Sequence, residues 1–237
     1  MQRYTTLKKS DNLPEVLFIT SYPPRECGIA TYSQDLIQAL NNKFSGSLCI
    51  KVCALESGMS HYSYPKEVKY VLKTSLASGY HKLAATINED KQIQIILVQH
   101  EFGLYKAQEK AFQQFLQTLT KPVGIVFHTV LPHPDSALKE KIKAMASICE
   151  SFVVMTRHSA DILTKEYGIS AQKIHVIAHG THLVQHTNKQ TLKAKYGLQN
   201  RKVLTTFGLL SAGKSLETTL NALPAIIREC PEVLFLI

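Results

Sequence analysis

The stretch VLFITSYPPRECGIATYSQDLIQAL, residues 16–40, decides the fold class. Val16 to Thr20 form a nearly continuous apolar run, the pattern of a parallel strand buried on both faces. Pro23 and Pro24 end that strand, and Gly28 is read as allowing a tight turn. Ile29, Tyr32, Leu36, Ile37 and Leu40 then recur at helical spacing. Strand, loop and helix in this order open a crossover unit of a parallel sheet. The single glycine is not G-x-G-x-x-G, so the unit alone is a weak cofactor signal.

The alternation continues down the chain. Residues 48–55 and 68–72 read as the second and third strands, and Leu76, Tyr80, Leu83, Ala84 and Ile87 mark a helix. Residues 93–98 are a fourth strand, followed by a strongly amphipathic helix through Ala111, Phe112, Phe115, Leu116 and Leu119. Residues 123–127 make a fifth strand and Leu138, Ile142, Met145 and Cys149 the next helix. Residues 152–155 form a sixth strand, residues 160–167 a short helix and residues 174–177 a seventh strand. This predicts an α/β fold, a Rossmann-like doubly wound parallel sheet. Ligands on such sheets sit beyond the carboxyl ends of the strands. Four polar clusters fall there: ECGIATY at 26–32, HEFGLY at 100–105, HT at 128–129 and HGTH at 179–182.

Residues 182–200 are polar and read as a connector with a short helix, after which a strand is expected over 203–207. Gly208 to Ser215, GLLSAGKS, is a full match to G-x-x-x-x-G-K-[ST]. A helical pattern follows through Leu216, Leu220, Leu223, Ile226, Ile227 and Cys230. Such a loop points backbone N–H groups, a helix N-terminus and a Lys at phosphate. Pro224 is expected to break or kink the helix and to restart it at a first-turn position. The pattern ends inside VLFLI at 233–237, and residues 200–237 are fewer than the roughly 50 a domain needs. The expected organisation is therefore residues 1–199 as a first domain with its connector, and residues 200–237 as the start of a second, incomplete one.

Composition narrows the function classes. Hydrophobic residues make up 45% of 237, enough for a core. No apolar run approaches the roughly 18 residues of a membrane span, and the polar first 14 residues carry no signal-peptide core, so the default location is cytoplasmic. Five cysteines without a C-x-x-C pair suggest buried reduced thiols. The net charge of +9 attracts anionic ligands, but scattered basic residues without aromatic interleaving argue against nucleic acid. H-x-x-x-H spacing occurs at His175/His179 and His182/His186, on non-helical segments without a nearby acidic residue, so no metal site is expected.

Six stretches together resemble GT-B type retaining glycosyltransferases of the large fourth family. They are SYPPRECGIATYSQDLIQAL (21–40), HEFGLY (100–105), VFHTVLPHP (126–134), VVMTRHSADIL (153–163), VIAHGTHL (176–183) and FGLLSAGKSLETTLNALP (207–224). The resemblance implies an acceptor-side Rossmann-like domain followed by a nucleotide-sugar-binding one. It implies metal-independent transfer of a hexose, mannose or glucose, from a nucleoside-diphosphate sugar to a glycan or lipid-linked acceptor, with retention. It also implies that Gly28 and Lys214 meet the donor diphosphate and that His128 sits near the transferred sugar. The sequence departs from the family pattern at three points. Gly208-Leu209-Leu210 lacks the usual Arg, Ala178-His179-Gly180-Thr181-His182 lacks the acidic or amide residue, and the E-x7-E motif has no counterpart. By this resemblance the 237 residues would be truncated early in the second domain and inactive alone.

Each candidate has a plainer alternative. His128 is a ligand-site or a loop histidine, His100 and Glu101 line the cleft or cap the next helix, and His133 is a turn residue. Arg25 and Glu26 contact phosphate or acceptor, or form a loop ion pair, and His179 and Gly180 are hinge and cleft residues. The basic charge also fits peripheral association with an anionic membrane face. Two functions compete with transfer: a P-loop nucleotide-binding protein acting through Gly208 to Ser215, and a non-catalytic sugar- or nucleotide-binding fragment.

Overall fold

The computed structural model describes residues 13–44, 46–58, 61–181, 184–208, 210 and 214–237. The chain divides into two compact units between residues 180 and 181, so the connector groups with the second unit.

The first unit alternates strand and helix. Its elements are β1 (Glu15–Thr20), α1 (Gly28–Phe44), β2 (Cys49–Glu56), β3 (Val68–Lys73), α2 (Ala77–Glu89), β4 (Ile93–His100), the single turn α3 (Phe102–Tyr105) and α4 (Glu109–Thr118). They continue with β5 (Val123–Phe127), α5 (Ser136–Ile148), β6 (Ser151–Val154), α6 (Arg157–Lys165) and β7 (Ile174–Val176). All seven strands are parallel, in the order β3-β2-β1-β4-β5-β6-β7. The doubly wound expectation is met. The order reverses direction between β1 and β4, where two diverging crossovers leave a crevice at the carboxyl edge.

Side-chain alternation along the strands splits the core into two layers. Leu17 and Ile19 of β1 join Cys53 and Leu55 of β2 in the larger layer, which α2, α4, α5 and α6 cover with Tyr80, Ile87, Phe112, Phe115, Ile142, Met145 and Leu163. Phe18, Val52 and Ala54 point the other way, where Ile37 of α1 and Tyr22 pack on them. Each fully buried Leu, Ile, Val, Phe or Met among them contributes about 1.5–3 kcal/mol. At the amino edge, Lys69 Nζ meets Glu15 Oε2 and Asp90 Oδ2, both at 2.6 Å, tying the starts of β1 and β3 to the turn before β4.

Several sequence expectations are corrected. The turn after β1 belongs to residues 22–25, where Arg25 N–H donates to Tyr22 O at 3.1 Å around a cis Pro23–Pro24 bond. Gly28 instead opens α1 with ordinary negative φ. Of the five free cysteines, Cys53 and Cys149 are buried while Cys27, Cys49 and Cys230 are half-buried. Cys27 has a local job: its Sγ accepts the Ala30 N–H at 3.4 Å, an N-cap at the start of α1.

The second unit contains α7 (Lys189–Lys195), β8 (Lys202–Thr205), α8 (Leu216–Glu229) and β9 (Val233–Leu236). β8 and β9 pair in parallel. Strand β8 stops short of Phe207, which is exposed. Helix α8 continues through Pro224, so of the expected break or kink there is no break. Proline removes one hydrogen bond, to the Leu220 carbonyl, and on this exposed helix water can take its place.

Candidate functional site

Strand β4 ends in two polar residues, Gln99 and His100, and their parity sends them to opposite faces of the sheet. His100 points into the large layer, 2% exposed, among Phe102, Tyr105, Phe112 and Phe127 with ring centroids 4.9–6.1 Å away. Burial, helped by the His128 and Lys141 charges, pushes its pKa down to about 4. His100 is therefore a neutral core histidine behind the cleft, and its Nδ1 is buried without a hydrogen-bond partner.

Gln99 points to the α1 side and meets His128, the first residue after β5. Its side-chain oxygen lies 2.8 Å from His128 Nε2. An amide oxygen can only accept, so Nε2 carries the proton and Nδ1 keeps its lone pair for a ligand. The backbone extends the ladder one step, with His128 N–H donating to His100 O at 3.0 Å. Burial, with the nearby His179 charge, pushes the His128 pKa down to about 4, so the ring is neutral at neutral pH.

Tyr32 completes the cluster. It reaches from α1 and stands edge-on to His128, centroids 5.0 Å apart at 88°, and against His179 at 4.9 Å. His179 Nδ1–H donates to Gly180 O at 2.6 Å, which sets its tautomer. Both His179 and Gly180 are exposed, and a Cβ at Gly180 would meet nothing within 4 Å. Tyr32, Gln99, His128 and His179 thus converge from α1, β4 and the exits of β5 and β7.

The start of α1 opens into the same carboxyl edge. Cys27 occupies the Ala30 N–H, and the first intrahelical bond is Thr31 N–H to Cys27 O at 3.2 Å. The Gly28 and Ile29 N–H groups are left for solvent or a ligand. A Cβ at Gly28 would meet nothing within 4 Å, so an incoming group can approach the backbone closely. A helix N-terminus of this kind favours negative charge.

Glu101 does not project freely into the cleft. One carboxylate oxygen caps α3 by accepting the Phe102 N–H at 3.1 Å, and the other accepts the Thr129 hydroxyl at 2.5 Å. It ties the exits of β4 and β5 together and so holds His128 indirectly. Arg25 donates through Nη1 to the Leu55 carbonyl at 3.2 Å, bridging the loop after β1 to the end of β2. His133 is an exposed turn residue at φ 53°, its N–H donating to Glu166.

Lys214 belongs to the second unit. Gly208 sits at φ 114°, a backbone that favours glycine, and a Cβ there would lie 3.3 Å from both Lys214 Cε and Nζ. The lysine side chain therefore rests against the residue that opens the phosphate-loop motif. Ser215, in the left-handed region at φ 49°, hydrogen-bonds Thr218 Oγ1 at 2.8 Å ahead of α8. Leu209 and residues 211–213, the middle of the motif, lie outside the described residues. Among the described residues no three His, Cys, Asp or Glu side chains converge as metal ligands do, and no helix is long and apolar enough to cross a membrane.

Sequence reasoning singled out His128, Gly28, His179 and Gly180, and the structure brings them to one edge. It missed Gln99, although a Gln closing the run IILVQ is a polar intrusion at the end of four consecutive apolar residues. Tyr32 was assigned to the apolar face of α1, and only the tertiary fold reveals its ring between two histidines.

No family model matches the chain, and no curated protein sequence does. Among solved structures it is similar to the UDP-GlcNAc 2-epimerase from Methanocaldococcus jannaschii, with a TM-score of 0.52 and 16% identity over 94% of this chain and 65% of that one. It is also similar to an alpha-glucosyltransferase solved with UDP and a 13-mer DNA containing a central A:G mismatch, with a TM-score of 0.50 and 9% identity over 94% of this chain and 56% of that one. The chain spans less than two thirds of the length of either. At these identities the likeness is one of fold, and the first unit is a Rossmann-like α/β domain of the GT-B type.

Proposed function

We propose that the chain binds a nucleoside-diphosphate sugar and serves a retaining hexosyl transfer of the fourth-family GT-B kind, to a glycan or lipid-linked acceptor. The observation that carries this is the convergence of Tyr32, Gln99, His128 and His179 beside the open start of α1, at the carboxyl edge flanking the β1/β4 switch point. Breaking a glycosyl–phosphate bond gathers negative charge on the leaving diphosphate. The Gly28 and Ile29 N–H groups and the Lys214 ammonium are of the type that stabilises that charge without a metal. A neutral His128, with Nε2–H held by Gln99, offers Nδ1 as an acceptor to a sugar hydroxyl. Such a role needs an uncharged ring, which fits the depressed pKa. The net charge of +9 suits an anionic donor and an acceptor at an anionic membrane face.

Saturation-transfer NMR with UDP-glucose and GDP-mannose in EDTA tests this. The sugar-ring protons should receive saturation from the wild type and lose it in His128→Ala, while the far-ultraviolet spectrum is unchanged. Unaltered transfer in the variant would remove His128 from the site. Binding of ATP only with Mg²⁺ would favour the phosphate-loop alternative at Gly208 to Ser215.

A further inference from the structure

The basic residues are scattered over the chain as a whole, but not over the second unit. From residue 167 to residue 216 the sequence has no Asp or Glu. Within that acid-free run, residues 189–202 hold a cluster of Lys189, Lys193, Lys195, Arg201 and Lys202, on α7 and up to the start of β8. Helix α7 buries no side chain. Lys189, Leu192, Lys193 and Tyr196 follow one another at spacings of three and four, so they share one side of it. Leu192 is 39% and Tyr196 64% exposed. Lys195 Nζ stands 5.4 Å over the Tyr196 ring, which keeps ammonium and phenol side by side. Lys193 Nζ donates to the Arg201 carbonyl, a contact that leaves its charge unneutralised. Among the described residues only Lys202 of the five has a carboxylate partner, Glu232 at 2.7 Å.

We propose that this face of α7 docks on an anionic lipid bilayer. Clusters of this size are drawn to the negative surface of such a leaflet, at about five-fold in affinity for each Lys or Arg brought near it. The occupant follows from charge and from shape. The cationic groups are strung along two helical turns and the segment after them, not gathered round one point, which suits a surface rather than a single small anion. Leu192 and Tyr196 stand among them, and both are side chains that enter the headgroup boundary. Nucleic acid is held by arginine forks and stacked rings. Arg201 is the one arginine of the five, and its Nη2 already donates to the Val233 carbonyl at 2.9 Å. A chain held on such a leaflet meets a lipid-linked acceptor there, a consequence that rests on the transferase reading; the docking itself does not.

The test is sedimentation of the chain with vesicles of phosphatidylcholine alone and of phosphatidylcholine mixed with phosphatidylglycerol. The chain should bind the mixed vesicles only, and added salt should release it. Lys189→Gln/Lys195→Gln should weaken binding about twenty-fold with an unchanged far-ultraviolet spectrum, because both side chains are exposed and Gln is as good a helix former as Lys. Lys82→Gln/Lys110→Gln takes the same charge from exposed positions on α2 and α4 of the first unit and should leave binding nearly unchanged. The chain has no tryptophan, so Tyr196→Trp adds a single probe whose emission should move to the blue on mixed vesicles. Equal binding to both kinds of vesicle, no loss in Lys189→Gln/Lys195→Gln, an equal loss in the α2 and α4 variant, or a probe that stays in water would overturn the proposal. So would tighter binding of a single-stranded oligonucleotide that depends on Lys189 and Lys195. Vesicle binding by a chain that takes neither UDP nor GDP would sink the transferase reading alone.

Discussion

Replacing His100 with leucine should flatten the acid limb of the stability curve. In the folded chain its pKa lies at about 4, pushed down mainly by burial in an aromatic cage. An unfolded histidine titrates near 6.5. Because the folded value is the lower one, the unfolded chain takes the proton first as pH falls. The stability held by the neutral ring is full above about pH 6.5 and drains away towards pH 4. Between pH 7.5 and pH 4.5 the one-site linkage comes to about 2–3 kcal/mol. For a unit of this size that is a fall in Tm of roughly 5–10 °C. Acid also protonates other groups, such as Asp90, whose carboxyl Lys69 helps hold below its usual range, in wild type and variant alike, so the difference between the two proteins isolates His100. Leucine changes the packing and shifts the whole curve, which leaves the slope as the quantity to read. Calorimetric melting of both proteins at several pH values between 4.5 and 7.5 measures it. If the variant loses as much stability on acidification as the wild type, the buried neutral histidine is not what the structure makes it.

Two further perturbations probe the scaffold of the cleft. Gln99→Leu removes the acceptor that holds the His128 Nε2 proton, so ¹⁵N imidazole spectra should change from one Nε2–H tautomer to a mixture; a single unchanged tautomer would refute that role. Glu101→Ala deletes both the α3 cap and the Thr129 tie, and should cost about 1–3 kcal/mol in urea denaturation, where no loss would show the tie to be idle.

How far the sequence could be read depended on the range of the interactions involved. Strand β5 was legible residue for residue, because VGIVF is buried on both faces and bounded by Pro122 and His128. The carboxyl-edge clusters were legible for the same reason, since parallel strands put all their exits at one edge. Strand order was not, because it is set by contacts between distant residues such as Val16 with both Ile50 and Ile95. The parity of β4 decided more than any motif. HEFGLY drew attention to His100, but one residue earlier Gln99 faces the cleft while His100 faces the core. Glu101 carried a cleft role and a capping role in sequence, and the structure uses both of its oxygens locally. Pro224 misled because propensity counts a lost hydrogen bond without knowing whether water can reach the orphaned carbonyl.

Metal-free binding of a nucleoside diphosphate tests the central claim most directly. With UDP or GDP titrated into the ¹⁵N-labelled chain in EDTA, the account predicts saturable shifts at the Gly28 and Ile29 amides. It also predicts an affinity about ten-fold weaker in Lys214→Ala. Diphosphates that leave Gly28 and Ile29 unmoved, while ATP binds only with Mg²⁺ and depends on Lys214, would contradict it.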